Sequence, residues 1–140
     1  MAGALLDTCA VLWLANGDPL SAAAREAIVA AGLADALHIS PVSAWEIGML
    51  SRPKQNRPAL EFLPDPKTWF ARLMAGPGIV NAPLTAAIAI DSSNLAGYLH
   101  ADPGNRLIIA TARHLNVPII TRDRRIIDYA KAGGVRAIPC

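Results

Sequence analysis

Short apolar runs alternate with helix-patterned segments along the whole chain, and the first run ends on an acid. Ala4, Leu5 and Leu6 form that run, followed by Asp7 and Thr8. Runs this short and apolar read as buried strands with polar groups at their tips. Leu37, His38, Ile39 and Ser40 make a second strand, Ile79 and Val80 a third, residues 116–121 a fourth and residues 135–138 a fifth. The intervening segments read as helices. Val11 to Leu14 suggest a short one, stopped by Asn16, Gly17, Asp18 and Pro19. Ser21 is placed to cap the next, with Gly32 at its end. Pro41 and Ser43 open a helix carrying Trp45, Glu46, Ile47, Met49 and Leu50, which Arg52 and Pro53 stop. Further helices are expected over residues 66–75, over 85–96, from Asp102 and Pro103 through Leu115, and over 123–132 before Gly133 and Gly134. The proline- and charge-rich stretch 53–66 reads as a loop rather than a domain linker. Strands that alternate with helices pair in parallel through helical crossovers. The expected fold class is therefore α/β with a central parallel sheet. In such sheets ligands bind beyond the carboxyl ends of the strands.

With 140 residues the chain suits one domain over 1–140, long enough to bury a core without staples. Hydrophobic residues make up 53% and charged residues 17%, the reverse of a disordered composition. Aromatics are only 5%, so the core is expected to be aliphatic. A net charge of +2 is too small to argue for nucleic-acid binding, so local clusters matter more. Arg122, Arg124 and Arg125 form one such group and Arg52, Lys54 and Arg57 another, each with solvated surface as its simpler reading. Cys9 and Cys140 show no metal or disulfide spacing, which fits reduced thiols and a cytoplasmic home. The opening MAGALLD lacks the basic region of a signal peptide, and no apolar run reaches the roughly 18 residues of a membrane span.

A doubly wound sheet brings several acids to one rim. Asp7 ends the first strand, Glu46 lies in the helix after the second, Asp123 follows the fourth, and Asp102 to Asn105 open a helix. Converging carboxylates raise one another's pKa or require a cation. A hard divalent ion such as Mg²⁺ or Mn²⁺ suits oxygen ligands of this kind and supports phosphodiester hydrolysis. Each acid also has a plainer reading. Asp7, Asp102 and Asp123 are placed to cap helices, and Glu46 can face solvent.

The segments LLDTCAVLW, SPVSAWEIGML and ADPGNRLIIATARHLNVPIITRD resemble, in order and spacing, the successive motifs of PIN domains. Their S-x-W-E-I and D-P-x-x-R-L-I-I-A-T-A patterns resemble the toxins of VapBC toxin–antitoxin pairs. The resemblance implies a three-layer α/β/α domain and Mg²⁺- or Mn²⁺-dependent cleavage of RNA. It matches Asp7, Glu46 and Asp123 to the family's acids, with Thr8, Ser43 and Thr121 beside them to orient water or a carboxylate. It also implies a VapB-like antitoxin, homodimerisation, and RNA contacts for which Arg122, Arg124 and Arg106 are the candidates. One position departs from the pattern: Asn105 stands where a third acid is expected. An amide offers a carbonyl oxygen but no charge. Asp102, one helical turn earlier, is a candidate to compensate.

Asn105 keeps open a second reading, a catalytically weakened relative that acts by binding RNA or protein. A haloacid-dehalogenase-like phosphatase also begins with a strand ending in Asp, but it requires a second Asp where Cys9 stands. Trp13 and Trp45 are most simply core residues. The alternative is a groove for a partner helix, walled by Leu12, Trp13, Trp45 and Met49. Cys9 is expected to pack within the first helix. His38, His100 and His114 lack metal-ligand spacing.

Overall fold

The computed structural model describes residues 2–140. Its elements are β1 (Ala4–Leu6), α1 (Thr8–Asn16), α2 (Ala22–Leu33), β2 (Leu37–Ile39), α3 (Pro41–Leu50), α4 (Pro66–Met74), β3 (Ile79–Asn81), α5 (Ala86–Ser92), α6 (Pro103–Leu115), β4 (Ile119–Thr121), α7 (Arg124–Lys131) and β5 (Ala137–Pro139). The five strands form one sheet in the order β3-β2-β1-β4-β5, and every pairing is parallel. The α/β class and the parallel sheet expected from the alternation are both observed.

The period-two geometry of the strands divides the core. Leu6, Ile39 and Ile120 pack on one face with Ala10, Val11, Ala24, Ala31 and Ile47. Leu5 and Ile119 point the other way, onto Ile108, Ile109, Ala112 and Ile126. Every one of these side chains is essentially inaccessible, and burial of each large aliphatic one stabilises the fold by roughly 1.5–3 kcal/mol. Helix α3 reaches both clusters, Ile47 into the first and Val42 into the second. It thereby crosses the rim where β1 ends.

The chain runs from β1 outward to β2 and β3, then returns to β4 on the opposite side of β1. A crevice forms at such a reversal of strand order. Asp7 stands at the tip of β1 and Thr121 ends β4, so both face it.

Several element ends differ from the sequence reading. Helix α2 continues through Gly32, and Asp35 takes the left-handed position that follows (φ 52°). Helix α5 stops at Ser92 rather than Ala96, where Ser92 Oγ donates to Ala89 O and Asn94 Nδ2 to Ile90 O. Those side-chain bonds compete with the helical ladder. The fourth strand begins only at Ile119, because Asn116 closes α6 in a left-handed conformation and Pro118 has no N–H to pair. The fifth strand is displaced to Ala137–Pro139.

Gly78 leads into β3 with φ +78°, and a Cβ there would stand 2.2 Å from the Gly32 carbonyl oxygen. A Cβ on Gly32 itself would meet nothing within 4 Å. Gly78→Ala is therefore expected to cost about 2–4 kcal/mol, from left-handed strain and overlap with a fixed backbone. Gly32→Ala is expected to be neutral or to stabilise by up to about 1 kcal/mol. Urea unfolding of both variants checks the pair.

Candidate active site

Asp7 follows β1, where the chain leaves the sheet, and its carboxylate caps α1 by accepting from the Ala10 amide at 2.9 Å. Its other oxygen accepts a hydrogen bond from the Thr121 hydroxyl. The residue is only 6% exposed. Burial pushes its pKa from the usual 3.8 up to about 6; the Thr121 and Ala10 bonds oppose the rise, and the charges of Asp123 and Glu46 add to it.

Glu46 projects from α3 toward the same place. Thr8 Oγ1 donates to Glu46 Oε1 at 2.6 Å, and Thr8 in turn lies 3.0 Å from Ser43 Oγ. Burial raises the Glu46 pKa, Thr8 opposes this, and Asp102 adds to it. The geometry has a requirement in α6: a Cβ at Gly104 would lie 3.1 Å from Glu46 Oε2 and 3.3 Å from Asp102 Oδ1. A side chain at position 104 would press the Glu46 carboxylate back by a few tenths of an ångström.

Asp123 caps α7 by accepting from the Arg125 amide at 2.8 Å. Burial alone would raise its pKa, but hydrogen bonds from Arg125 and Asn105 outweigh that and hold it below the ordinary value. Asn105 Nδ2 donates to Asp123 Oδ2 at 3.0 Å. Asp102 caps α6 and lies 3.4 Å from Arg125 Nη2.

Asp7, Thr8, Glu46, Asp102, Asn105, Arg122, Asp123 and Arg125 line one pocket of about 370 Å³, together with Cys9, Trp13 and Ile108. The structure thus gathers the acids singled out in the sequence, with Asn105 and Asp102 in the wall. Ser43 and Thr121 are fully buried just behind them. Among the described residues, no three His, Cys, Asp or Glu side chains are arranged to hold an ion as they stand. The reason is visible in the hydrogen bonds, since these carboxylates also serve as acceptors for amides, hydroxyls and a guanidinium. Asp7 and Glu46 nevertheless have only neutral donors, because the ion pairs among the described residues are those of Arg125 with Asp102 and Asp123. Carboxylates without a cationic partner in one pocket are chemically suited to a hard divalent cation.

The three arginines named as RNA contacts stand in different surroundings. Arg106 donates to the carbonyls of His100, Ser92 and Tyr98, and its guanidinium lies over the Tyr98 ring. Arg122 lies 3.9 Å above the Trp13 ring and bonds Cys140 O and Pro19 O, at the pocket wall. Arg124 is exposed. Cys9 is not packed away but lies exposed at the pocket, its thiol raised to about 11 by desolvation and then by Asp7 and Glu46. Trp45 is 47% exposed, so it is not a core residue. Arg125 and Gly104 were not singled out as site residues in the sequence. The signal for Arg125 was its place two residues after an acid that caps a helix.

A family model described as "PIN domain" matches residues 4–132. A curated relative, Ribonuclease VapC22 of Mycobacterium tuberculosis, is 32% identical over 130 residues, covering 92% of this chain and 93% of its own. Two solved structures share the fold. One is VapBC2 from Rickettsia felis bound to a DNA fragment from their promoter (TM-score 0.66, 12% identity, 97% of each chain). The other is DNA-bound VapBC from Salmonella typhimurium (TM-score 0.66, 16% identity, 99% of this chain and 98% of that one).

Asp7 gives a linkage prediction. Its pKa is higher folded than unfolded, so its favourable contribution is present below about pH 4 and is lost as pH rises through about 6. Ionised Asp7 then costs about 3 kcal/mol in metal-free protein, from two units at 1.36 kcal/mol each. Asp7→Asn is expected to be more stable than the native chain at pH 8 in chelator, with the gap closing by pH 4. Thermal unfolding across that range checks it.

Proposed function

The chain belongs to the PIN-domain family, and from that premise we propose that it is a metal-dependent endoribonuclease that acts as the toxin of a toxin–antitoxin pair. The observation that carries the reading is the buried Asp7 beside Glu46 and Asp123 in one pocket, with no cationic side chain on Asp7 or Glu46. A divalent ion, Mg²⁺ or Mn²⁺, held by Asp7, Glu46 and Asp123 would supply Lewis acidity toward a scissile phosphodiester and an attacking water.

The chain's own residues set the geometry for that chemistry. Thr121 and the Ala10 amide fix both oxygens of Asp7, and the Ser43–Thr8 pair fixes Glu46. Carboxylates held this way lose little freedom when a cation arrives. The fixed positive charge of Arg122 at the pocket wall and of Arg124 outside it is positioned for the RNA backbone. Asn105 contributes an amide but no charge, so turnover is expected to be modest. Among the described residues no helix is long and apolar enough to cross a membrane, and the free thiols of Cys9 and Cys140 fit a cytoplasmic setting.

The antitoxin's seat is the exposed side of α3. Trp45 and Met49 are exposed there, next to an apolar cleft of about 640 Å³ that includes Ile47, Gly48, Pro66 and Phe70. Leu12 packs against the core and Trp13 lies under Arg122, so the expected wall from α1 contributes less. An amphipathic segment laid in the cleft would bury its apolar side chains there, against the helix that carries Glu46. A basic side chain on it would compete with the cation for Asp7 and Glu46.

Two outcomes test this reading. Asp7→Asn and Asp123→Asn are each expected to lower Mg²⁺-dependent cleavage of single-stranded RNA by about 100-fold or more, with circular dichroism unchanged. Chelator is expected to abolish cleavage by the native chain. Trp45→Ala is expected to keep nuclease activity but weaken capture of the product of the adjacent reading frame by about tenfold or more. Undiminished cleavage by Asp7→Asn at saturating Mg²⁺ contradicts the assignment.

A further inference from the structure

Positive charge is gathered in the last part of the chain. Residues 113–140 hold six Lys and Arg side chains against Asp123 and Asp128, a net +4, whereas the whole chain carries +2, so residues 1–112 carry −2. Arg113 stands in the last turn of α6, Arg124 and Lys131 on α7, and Arg136 leads into β5, an edge strand of the sheet. The ion pairs among the described residues are those of Arg125, so these four cations have no acidic partner there. The acidic pocket itself is lined by four carboxylates against two guanidiniums. It repels a polyanion, and affinity for a nucleic-acid strand has to come from outside it.

Two hollows join these cations. Arg113 and Arg136 line a pocket of about 410 Å³ with Asn116, Gly134 and Val135, at the amino ends of β4 and β5. Each guanidinium is anchored by one terminal nitrogen: Arg113 Nη1 donates to Gly134 O, and Arg136 Nη2 to Asn116 O at 2.6 Å and Oδ1 at 3.3 Å. The plain role of those bonds is to satisfy carbonyls at the ends of α6 and α7. They also hold both planar forks in place while leaving the remaining N–H groups to donate. A second groove, of about 350 Å³, shares Ala130, Val135 and Arg136 with this pocket and runs beside Lys131 and Ala137 to Pro139. Pro139 pairs with Thr121, and the next residue, Cys140, accepts from Arg122 Nε at 2.7 Å. Arg122 is already a wall of the acidic pocket. Extended chain from Arg136 to Cys140 rises roughly 13 Å. No Asp, Glu or aromatic residue lines either hollow.

We propose that the groove beside α7 and β5 carries the backbone of the RNA strand away from the acidic pocket, with one phosphate passing Lys131 and another seated between Arg113 and Arg136. The inference rests on the nuclease reading above and deepens it, by naming the surface that holds the substrate outside the reacting centre. A line of unpaired cations free of carboxylates complements a chain of phosphates. With no aromatic ring as a platform for bases, the contacts are to the backbone and carry no sequence information. Helices α6 and α7 turn their negative ends toward the Arg113–Arg136 pocket, so an anion is held there only while both guanidiniums offset them.

The test is fluorescence anisotropy of a labelled, long single-stranded RNA titrated with the full chain in chelator, so that cleavage does not intervene. The native chain is expected to bind with an affinity that falls as salt rises. Arg113→Gln and Arg136→Gln combined are expected to weaken binding at low salt by about tenfold or more. They are also expected to flatten the slope of log affinity against log salt by about 0.7–1.4, the share of one or two single-strand phosphates. Arg72→Gln, which removes an exposed charge from α4, is expected to leave affinity and slope as in the native chain. Should the combined variant lose helix by circular dichroism, Lys131→Gln carries the test, with a slope flattened by about 0.7. Native affinity and slope in the combined variant, or in Lys131→Gln where that carries the test, overturn the proposal. So does an equal loss in Arg72→Gln, which marks diffuse charge alone. Both results spare the nuclease reading, which Mg²⁺-dependent cleavage by the native chain tests separately. Absence of RNA binding by the native chain overturns the proposal, and absence of cleavage as well overturns both.

Discussion

Asp7 places a carboxylate at the tip of the central strand, almost out of reach of water and without a cationic side chain against it. Desolvation makes that arrangement unfavourable for the ionised form, and the surrounding elements are organised around the problem. Strand β4 ends in Thr121, whose hydroxyl donates to one oxygen; helix α1 begins at once, so that its Ala10 amide takes the other. Helices α3 and α6 close in from the rim with Glu46, Gly104 and Asn105. The reversal of strand order on either side of β1 opens the crevice into which these groups point.

Capping and chemistry are not alternatives in this fold. Asp7, Asp102 and Asp123 each close the first turn of a helix, and each also lines the pocket. A carboxylate has two oxygens, and a cap consumes acceptor capacity on only one. Helix starts thus become rigid mounts for acids, with a cap typically worth about 1 kcal/mol to the helix. The pocket's electrostatics then depend on what meets the remaining oxygen. For Asp7 it is a neutral hydroxyl, for Asp123 a guanidinium and an amide. Identical side chains in equivalent local settings end with pKa values displaced in opposite directions.

Much of this was legible in the sequence because it is local. The Ala4-Leu5-Leu6-Asp7 run, the Pro at the start of α3 and α6, and the alternation of strand and helix are short-range signals, and the parallel sheet follows from them. Boundaries set by side-chain competition were not legible, as at Ser92 and Asn94, nor were those set by a left-handed Asp35 in place of a glycine. Tertiary partners were hidden too. Arg106 looks like a surface base in the sequence, but three carbonyls of the segment before α6 claim it. Trp45 has the composition of core and the position of surface, because α3 turns Ile47 inward instead. Asn105 was visible as a departure, but its meaning depends on Arg125, twenty residues away in sequence and on the same carboxylate in space.

The account stands on these acids forming a seat for a hard cation. Crystals soaked in Mn²⁺ and measured at the manganese absorption edge locate such an ion without reference to activity. The account expects an anomalous peak in the pocket, in coordination contact with carboxylate oxygens of both Asp7 and Glu46, and none in crystals of Asp7→Asn treated alike. A native pocket without a peak, or a peak bound elsewhere that persists in Asp7→Asn, would contradict it.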